Sequence, residues 1–252
     1  MEILFTLIYQ PIYNTLFGLY NIVGDFGVAI IVMTIAIKFA LVPLSKKQIE
    51  SQKEMQELQP KIKKLQKKYK DDKERQSKEV MALYKEHGVN PAAGCLPLII
   101  QMVIFITMYR VIINSAENGS MTVHPEQLYP FISNPETVNG MFLGIMSLAE
   151  PNIILAVLTA SAQFIQLKMM QAKNASKGKK EDKEDKKTDE PDFATIMQKQ
   201  MLFIVPAMTL FIGVKFHSGL ALYWLTSTLF MIAQQWYIMH KEKKTAPQGE
   251  EN

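Results

Sequence analysis

The run from Gly27 to Gln48, GVAIIVMTIAIKFALVPLSKKQ, limits what this chain can fold into more than any other feature. Between Val28 and Leu44 its only ionisable side chain is Lys38, and a basic cluster follows at once. A helix rises ~1.5 Å per residue, so ~20 apolar residues cross the hydrocarbon core of a bilayer. The stretch therefore reads as a transmembrane helix over 26–45. A lysine near the centre of such a helix costs ~2.5 to 3.5 kcal/mol on insertion scales, which favours a position facing protein or water over one facing lipid. Thr34 lies one turn before Lys38 and Ser45 two turns after it. One polar stripe then faces inward, while Ile30, Val32, Ile37 and Val42 cover the other faces. The competing reading is a lysine that snorkels to the headgroups near Lys46.

Composition matters here through its unevenness. Mean hydropathy is near zero (+0.01) because strongly apolar and strongly charged stretches alternate, as in a membrane protein with solvated loops. The net charge of +4 does not point to sequence-specific nucleic acid, since the basic residues sit beside hydrophobic spans. Cys95, the single cysteine, excludes an intrachain disulfide and a multi-cysteine metal site.

Residues 1–25 contain no lysine or arginine and no small-residue cleavage site, so they do not read as a cleavable signal. Phe5, Ile8, Ile12, Leu16 and Leu19 recur at helical spacing, and Tyr9, Tyr13 and Tyr20 offer aromatic anchors. Together they predict an interfacial amphipathic helix that Pro11 bends or starts. Residues 46–90 predict a water-exposed helical hairpin. Met55, Leu58, Ile62, Leu65 and Tyr69 form a seam, Asp71 and Asp72 a turn, and Val80, Leu83, Tyr84 and His87 the second arm, with a kink expected at Pro60. Further spans are predicted over 94–113, 151–171, 197–214 (kinked at Pro206) and 219–238, making five. Between them lie a loop over 114–150, a disordered lysine-and-acid linker over 172–196 and a basic tail over 239–252.

Charge sets the orientation. Ser45 to Asn90 carries thirteen Lys/Arg, whereas Asn114 to Glu150 carries none and four acids. The positive-inside rule then places the hairpin, linker and carboxyl terminus in the cytoplasm, and the loop and amino terminus outside.

No catalytic constellation is present, and no metal or cofactor site is indicated. His87, His124, His217 and His240 are scattered, without the spacing of a metalloprotease, hydrolase or nucleotide-binding motif. What the spans offer is one cation and neutral polar groups: Lys38, Thr34, Gln101, Gln163, Gln166 and Ser227. Thr159, Gln163 and Gln166 share one helical face. Each alone suits an interhelical hydrogen bond. Occurring on four helices, they suggest a wet, positively charged cavity. A small anion channel or transporter with Lys38 as its selectivity charge is the rival from another class, although it leaves the long hairpin without a role.

Three strings carry a family resemblance: IAIKFALVPLSKKQ, GVNPAAGCLPLIIQM after the hairpin, and SGLALYWLTSTLFMIAQQW. In order and spacing they resemble the YidC family of membrane protein insertases, over nearly the whole chain apart from the charged linker and tail. The short amino-terminal region is similar to family forms that lack a large extracytoplasmic domain. The resemblance implies an all-α membrane protein of the bacterial plasma membrane. Its five helices surround a hydrophilic groove open to the cytoplasm and to lipid, and closed outside. It implies a non-enzymatic insertase and chaperone whose partners are nascent membrane proteins, the ribosome and the Sec translocon. Gln101 matches the family glutamine after the CLP segment, and Trp224 the tryptophan of its LYW string. Lys38 stands where the family usually has arginine, and Thr228 where many members have asparagine.

Overall fold

The computed structural model describes residues 5–90, 96–117, 120–135, 138–178 and 193–245. Helices dominate. A π-helical lead-in over Phe5–Tyr9 runs into α1 (Gln10–Val23), followed by α2 (Phe26–Ala40), α3 (Val42–Lys68), α4 (Lys73–Glu86) and α5 (Leu96–Ser115). After a long connection come α6 (Ile153–Gly178), α7 (Phe193–Gly213) and α8 (Ser218–Thr245). The connection holds two small antiparallel pairs, β1 (Ala116–Glu117) with β2 (Ser120–Met121) and β3 (Met141–Phe142) with β4 (Met146–Ser147). The chain divides into two compact units, Met1–Lys38 with Ile106–Asn252, and Phe39–Phe105.

In the larger unit α6 packs on both α7 and α8. The first contact is close because its residues are small: a Cβ on Gly213 would lie 2.7 Å from Cβ of Ala156. Phe164 and Phe203 meet further along the same pair with their rings tilted by 43°. At the start of α8, Gly219 lies beside Ile112 and Ile30, and the Ser218 amide donates to the Glu150 carbonyl at 2.9 Å.

The smaller unit is centred on α3 and α4. Leu58, Ile62 and Val89 are buried between them, with Met55, Val80, Leu83 and Tyr84 packed around. Asp72 caps α4 by accepting from the Arg75 amide at 2.9 Å, and Tyr69 at the turn lies under the cations of Lys68 and Arg75. α3 continues through Pro60 without interruption.

Several expectations need correction. The polar stripe does not run unbroken from Thr34 to Ser45, because α2 ends at Ala40 and α3 begins at Val42. Pro43 stands at the start of the new helix, where its missing N–H costs least. Ser45 sits beyond the break and donates its hydroxyl to the Leu41 carbonyl at 3.0 Å. Ile30 does not cover an outer face but is buried. Helix also occupies both edges of the expected linker, since α6 extends to Gly178 and α7 starts at Phe193; residues 179–192 lie outside the described residues. Propagation explains the first edge: each added residue gains one hydrogen bond, and no proline intervenes. The tail is likewise helical as far as Thr245.

The tyrosines of α1 and its lead-in face protein rather than headgroups. Tyr9, Tyr13 and Tyr20 are buried together with Asn14, Leu16 and Phe17. Their partners are backbone and side-chain groups of the connection after α5. Tyr9 donates to Gln127 Oε1 at 3.0 Å, the His124 amide donates to the Tyr13 hydroxyl at 2.7 Å, and the Asn139 amide to the Tyr20 hydroxyl at 2.8 Å. Asn14 donates to the Gln127 carbonyl at 3.0 Å and accepts from the Tyr129 amide. Gly24, at φ 75°, ends α1 in the left-handed conformation, and Asp25 accepts from the Val28 amide at 2.9 Å to start α2. The connection is thus folded over α1 as a cap.

Candidate functional site

α2 turns a polar edge inward. Ile30, Thr34 and Lys38 are spaced four apart and all buried, Lys38 to 8% exposure, while Val32 and Ile35 on other faces are partly open. The Thr34 hydroxyl donates to the Ile30 carbonyl at 2.6 Å, which satisfies its proton and leaves its oxygen able to accept. The lysine is not extended to the surface.

α6 and α8 carry further polar groups of the larger unit. Trp224 Nε1 donates to Gln163 Oε1 at 2.8 Å, joining two of the residues singled out from sequence. One turn along α6, Gln166 Nε2 points at the Met231 sulfur at 3.7 Å; one turn the other way, Thr159 donates to Leu155 O at 2.7 Å and approaches Ala221 O at 3.3 Å. Ser227 is fully buried on α8, one turn after Trp224. The Ser227 hydroxyl, Gln166 Oε1 and Gln234 Nε2 are buried polar atoms without a hydrogen-bond partner in the described structure. A polar atom held dry and unpaired costs ~1 to 3 kcal/mol, so three on two adjoining helices mark a region built to meet water or another polar chain. Gln101, on α5 in the smaller unit, is half-buried.

Sequence reasoning missed the cap. Asn14, Asp25 and the tyrosine hydroxyls bond to residues more than a hundred positions away, and no local period announces such pairings. The nearest signal was compositional, a connection rich in Asn, Pro and Gly yet too long for a plain turn.

The outer surface decides the class. Ile153, Ile154, Phe203 and Phe211 on α6 and α7 are each about two-thirds exposed, a distribution water disfavours and lipid accepts. Among the described residues α6 alone, over Ile153–Met170, is apolar and long enough for a full crossing by length and composition; Phe26–Ala40, Ile99–Ser115 and Gln200–Gly213 are shorter apolar helices. Helices that expose apolar side chains on this scale define a helical integral membrane protein. The chain belongs to the 60Kd inner membrane protein family, whose sequence pattern matches residues 18–245. It is similar to the membrane protein insertase YidC of Pelobacter propionicus (36% identity, 93% of this chain and 39% of the relative). The same holds for those of Lawsonia intracellularis (32%, 94% and 40%) and Francisella tularensis subsp. novicida (36%, 90% and 35%). Among solved structures it resembles a crystal structure of an active YidC insertase with its first transmembrane domain resolved. The TM-score is 0.59 at 27% identity, over 92% of this chain and 46% of that one. The chain spans about two-fifths of the length of the curated relatives it matches.

Proposed function

We propose that this chain inserts membrane proteins into the bacterial plasma membrane, and holds them there, by shortening the dry path that a polar flank must cross. The helices α2, α5, α6, α7 and α8 are five spans, with the amino terminus outside and the carboxyl terminus and the α3–α4 hairpin in the cytoplasm. They form a groove open to the cytoplasm and to lipid, to which the larger unit contributes Lys38, Thr34, Gln163, Gln166, Trp224 and Ser227; Gln101 is the polar side chain that α5 would offer a substrate. A hydrophobic segment of the nascent protein slides along the lipid-facing side while its short flank enters the groove. The flank meets Lys38 and leaves outward. No bond is made or broken.

Burial of Lys38 beside Thr34 is the observation that carries this reading. An acidic flank ~6 Å from a lysine gains ~3 kcal/mol at an effective dielectric of ~20, which offsets part of the cost of taking the carboxylate from water. A potential negative inside adds ~2.3 kcal/mol per charge per 100 mV for outward movement of the anion. The unpaired polar atoms of Ser227, Gln166 and Gln234 support the same reading, since a passing polar chain or its water satisfies them in turn. The basic hairpin suits capture of the ribosome or the nascent chain, and the Sec translocon is a further partner on this reading.

Reconstitution into sealed liposomes with a single-span substrate bearing an acidic flank tests the proposal. Protease protection of the flank, dependent on the protein, is the expected result. Anion flux without protection would favour a channel, and binding without protection an assembly factor that moves nothing.

A further inference from the structure

The turn between β3 and β4 presents apolar side chains where a soluble hairpin presents polar ones. Leu143 has φ 51° and Gly144 φ 69°, and Leu143 is the one non-glycine residue with positive φ among those described. Two consecutive left-handed residues make a tight hairpin turn in which Asn, Asp or Gly fits with less strain than leucine. The side chains point outward nonetheless: Leu143 is 59% and Ile145 82% exposed. From Gly140 to Leu148 there is no charged residue.

The turn is also firmly held. The Leu143 amide donates to Asp25 Oδ2 at 2.7 Å, and Phe142 lies so close to Gly27 that a Cβ there would stand 2.2 Å from its ring. On the far side the Leu148 amide donates to the Gly140 carbonyl at 2.8 Å, and the Gly219 amide to the Leu148 carbonyl at 3.1 Å. Gly27 and Gly219 are the second residues of α2 and α8. The hairpin is therefore fastened where α2 and α8 begin.

We propose that the β3–β4 turn, through Leu143 and Ile145, seats in the acyl-chain boundary of the non-cytoplasmic leaflet and fixes the depth at which α2 and α8 start. This rests on the reading of the apolar helices as spans. Lipid is the occupant because the tip is apolar and uncharged, and the first residues of α6, Ile153 and Ile154, expose apolar side chains as well. Two side chains fall far short of the ~800 Å² per partner that a stable protein interface takes. The absence of basic residues leaves apolar burial, rather than attraction to anionic headgroups, to hold the turn.

The test uses the full chain with Cys95→Ser and Ile145→Cys, labelled with an environment-sensitive fluorophore in phosphatidylcholine vesicles. The lipid is brominated near either the glycerol or the methyl end of its acyl chains. A second variant carries the label at Ile165→Cys, half-exposed in the middle of the apolar stretch of α6. The Ile145 label should be quenched severalfold more by shallow than by deep bromines, and the Ile165 label the reverse. An Ile145 label indifferent to brominated lipid, beside a quenched Ile165 label, would overturn the anchor and leave the spans standing. Indifference of both would overturn the spans as well. Should Ile145→Cys not fold, Leu143→Cys gives the same readout.

Discussion

At the scale of single residues, the polar side chains of the interior divide into those with a partner and those without. Gln163 and Trp224 are paired across α6 and α8, so Trp224→Phe should leave the Gln163 carbonyl oxygen without this donor. The cost is ~0.5 to 1.5 kcal/mol, given the modest measured worth of hydrogen bonds between membrane helices. Adding Gln163→Leu should recover part of it, and thermal denaturation in detergent reads both changes. A second expectation concerns the cap. Burial pushes the Tyr13 hydroxyl up to about 12 from its ordinary value of 10.0. The folded chain therefore holds this proton more tightly than the unfolded one. The resulting stabilisation is fully present below pH 10.0 and disappears as pH rises toward 12. The melting temperature should fall across that alkaline window, and Tyr13→Phe, which cannot ionise, should flatten the fall at the expense of the bond from the His124 amide.

At the scale of elements, the parts legible in sequence are those whose order is local. Leu58 and Ile62, on three-and-four spacing, are the residues that α3 buries against α4, and Gly24 followed by Asp25 marks the stop of one helix and the start of the next. The break at Leu41 was readable from Pro43 but was masked by the unbroken apolar run around it. The cap was not legible, because Asn14 and three tyrosines fit a wet helix face as well as a buried one. Only the distant backbone groups they meet decide between the two. Close helix contact was hidden for a similar reason: Gly213 looks like any apolar-helix glycine until Ala156 is set against it. Gly213→Leu should force α6 and α7 apart and destabilise by ~1 to 3 kcal/mol, and Ala156→Gly should partly rescue Gly213→Ala. Denaturation in detergent checks both. The same scale holds the contrast between hairpin and linker. The α3–α4 pair has a packed seam and should be needed for insertion, whereas Lys177 to Glu190 contains no apolar residue with which to form a core and should be dispensable. Deleting each in turn and comparing insertion decides the matter, and equal loss from both deletions would contradict it.

At the scale of the whole molecule, Ile153, Ile154, Phe203 and Phe211 present apolar surface that water disfavours and lipid accepts, while Lys38, Thr34 and Ser227 are buried. Membership in an inner membrane protein family agrees with that surface, and loop charge is the basis of the orientation proposed for the helices. Single cysteines at Asn118 and Ser176, in a Cys95→Ser background, should react with an impermeant maleimide from opposite sides of the bilayer. Labelling of both from one side would contradict the five-span arrangement. The central claim is that a buried positive charge, not merely a polar gap, draws the flank of a substrate across. Its most direct measurement is the insertion rate of one substrate carrying either an acidic or a neutral flank, in proteoliposomes holding the native chain, Lys38→Arg, Lys38→Gln or Lys38→Glu. Native-like insertion is expected for arginine, a loss of about tenfold or more for glutamine confined to the acidic flank, and the lowest rate for glutamate. Native-rate insertion of the acidic flank by Lys38→Gln would contradict it.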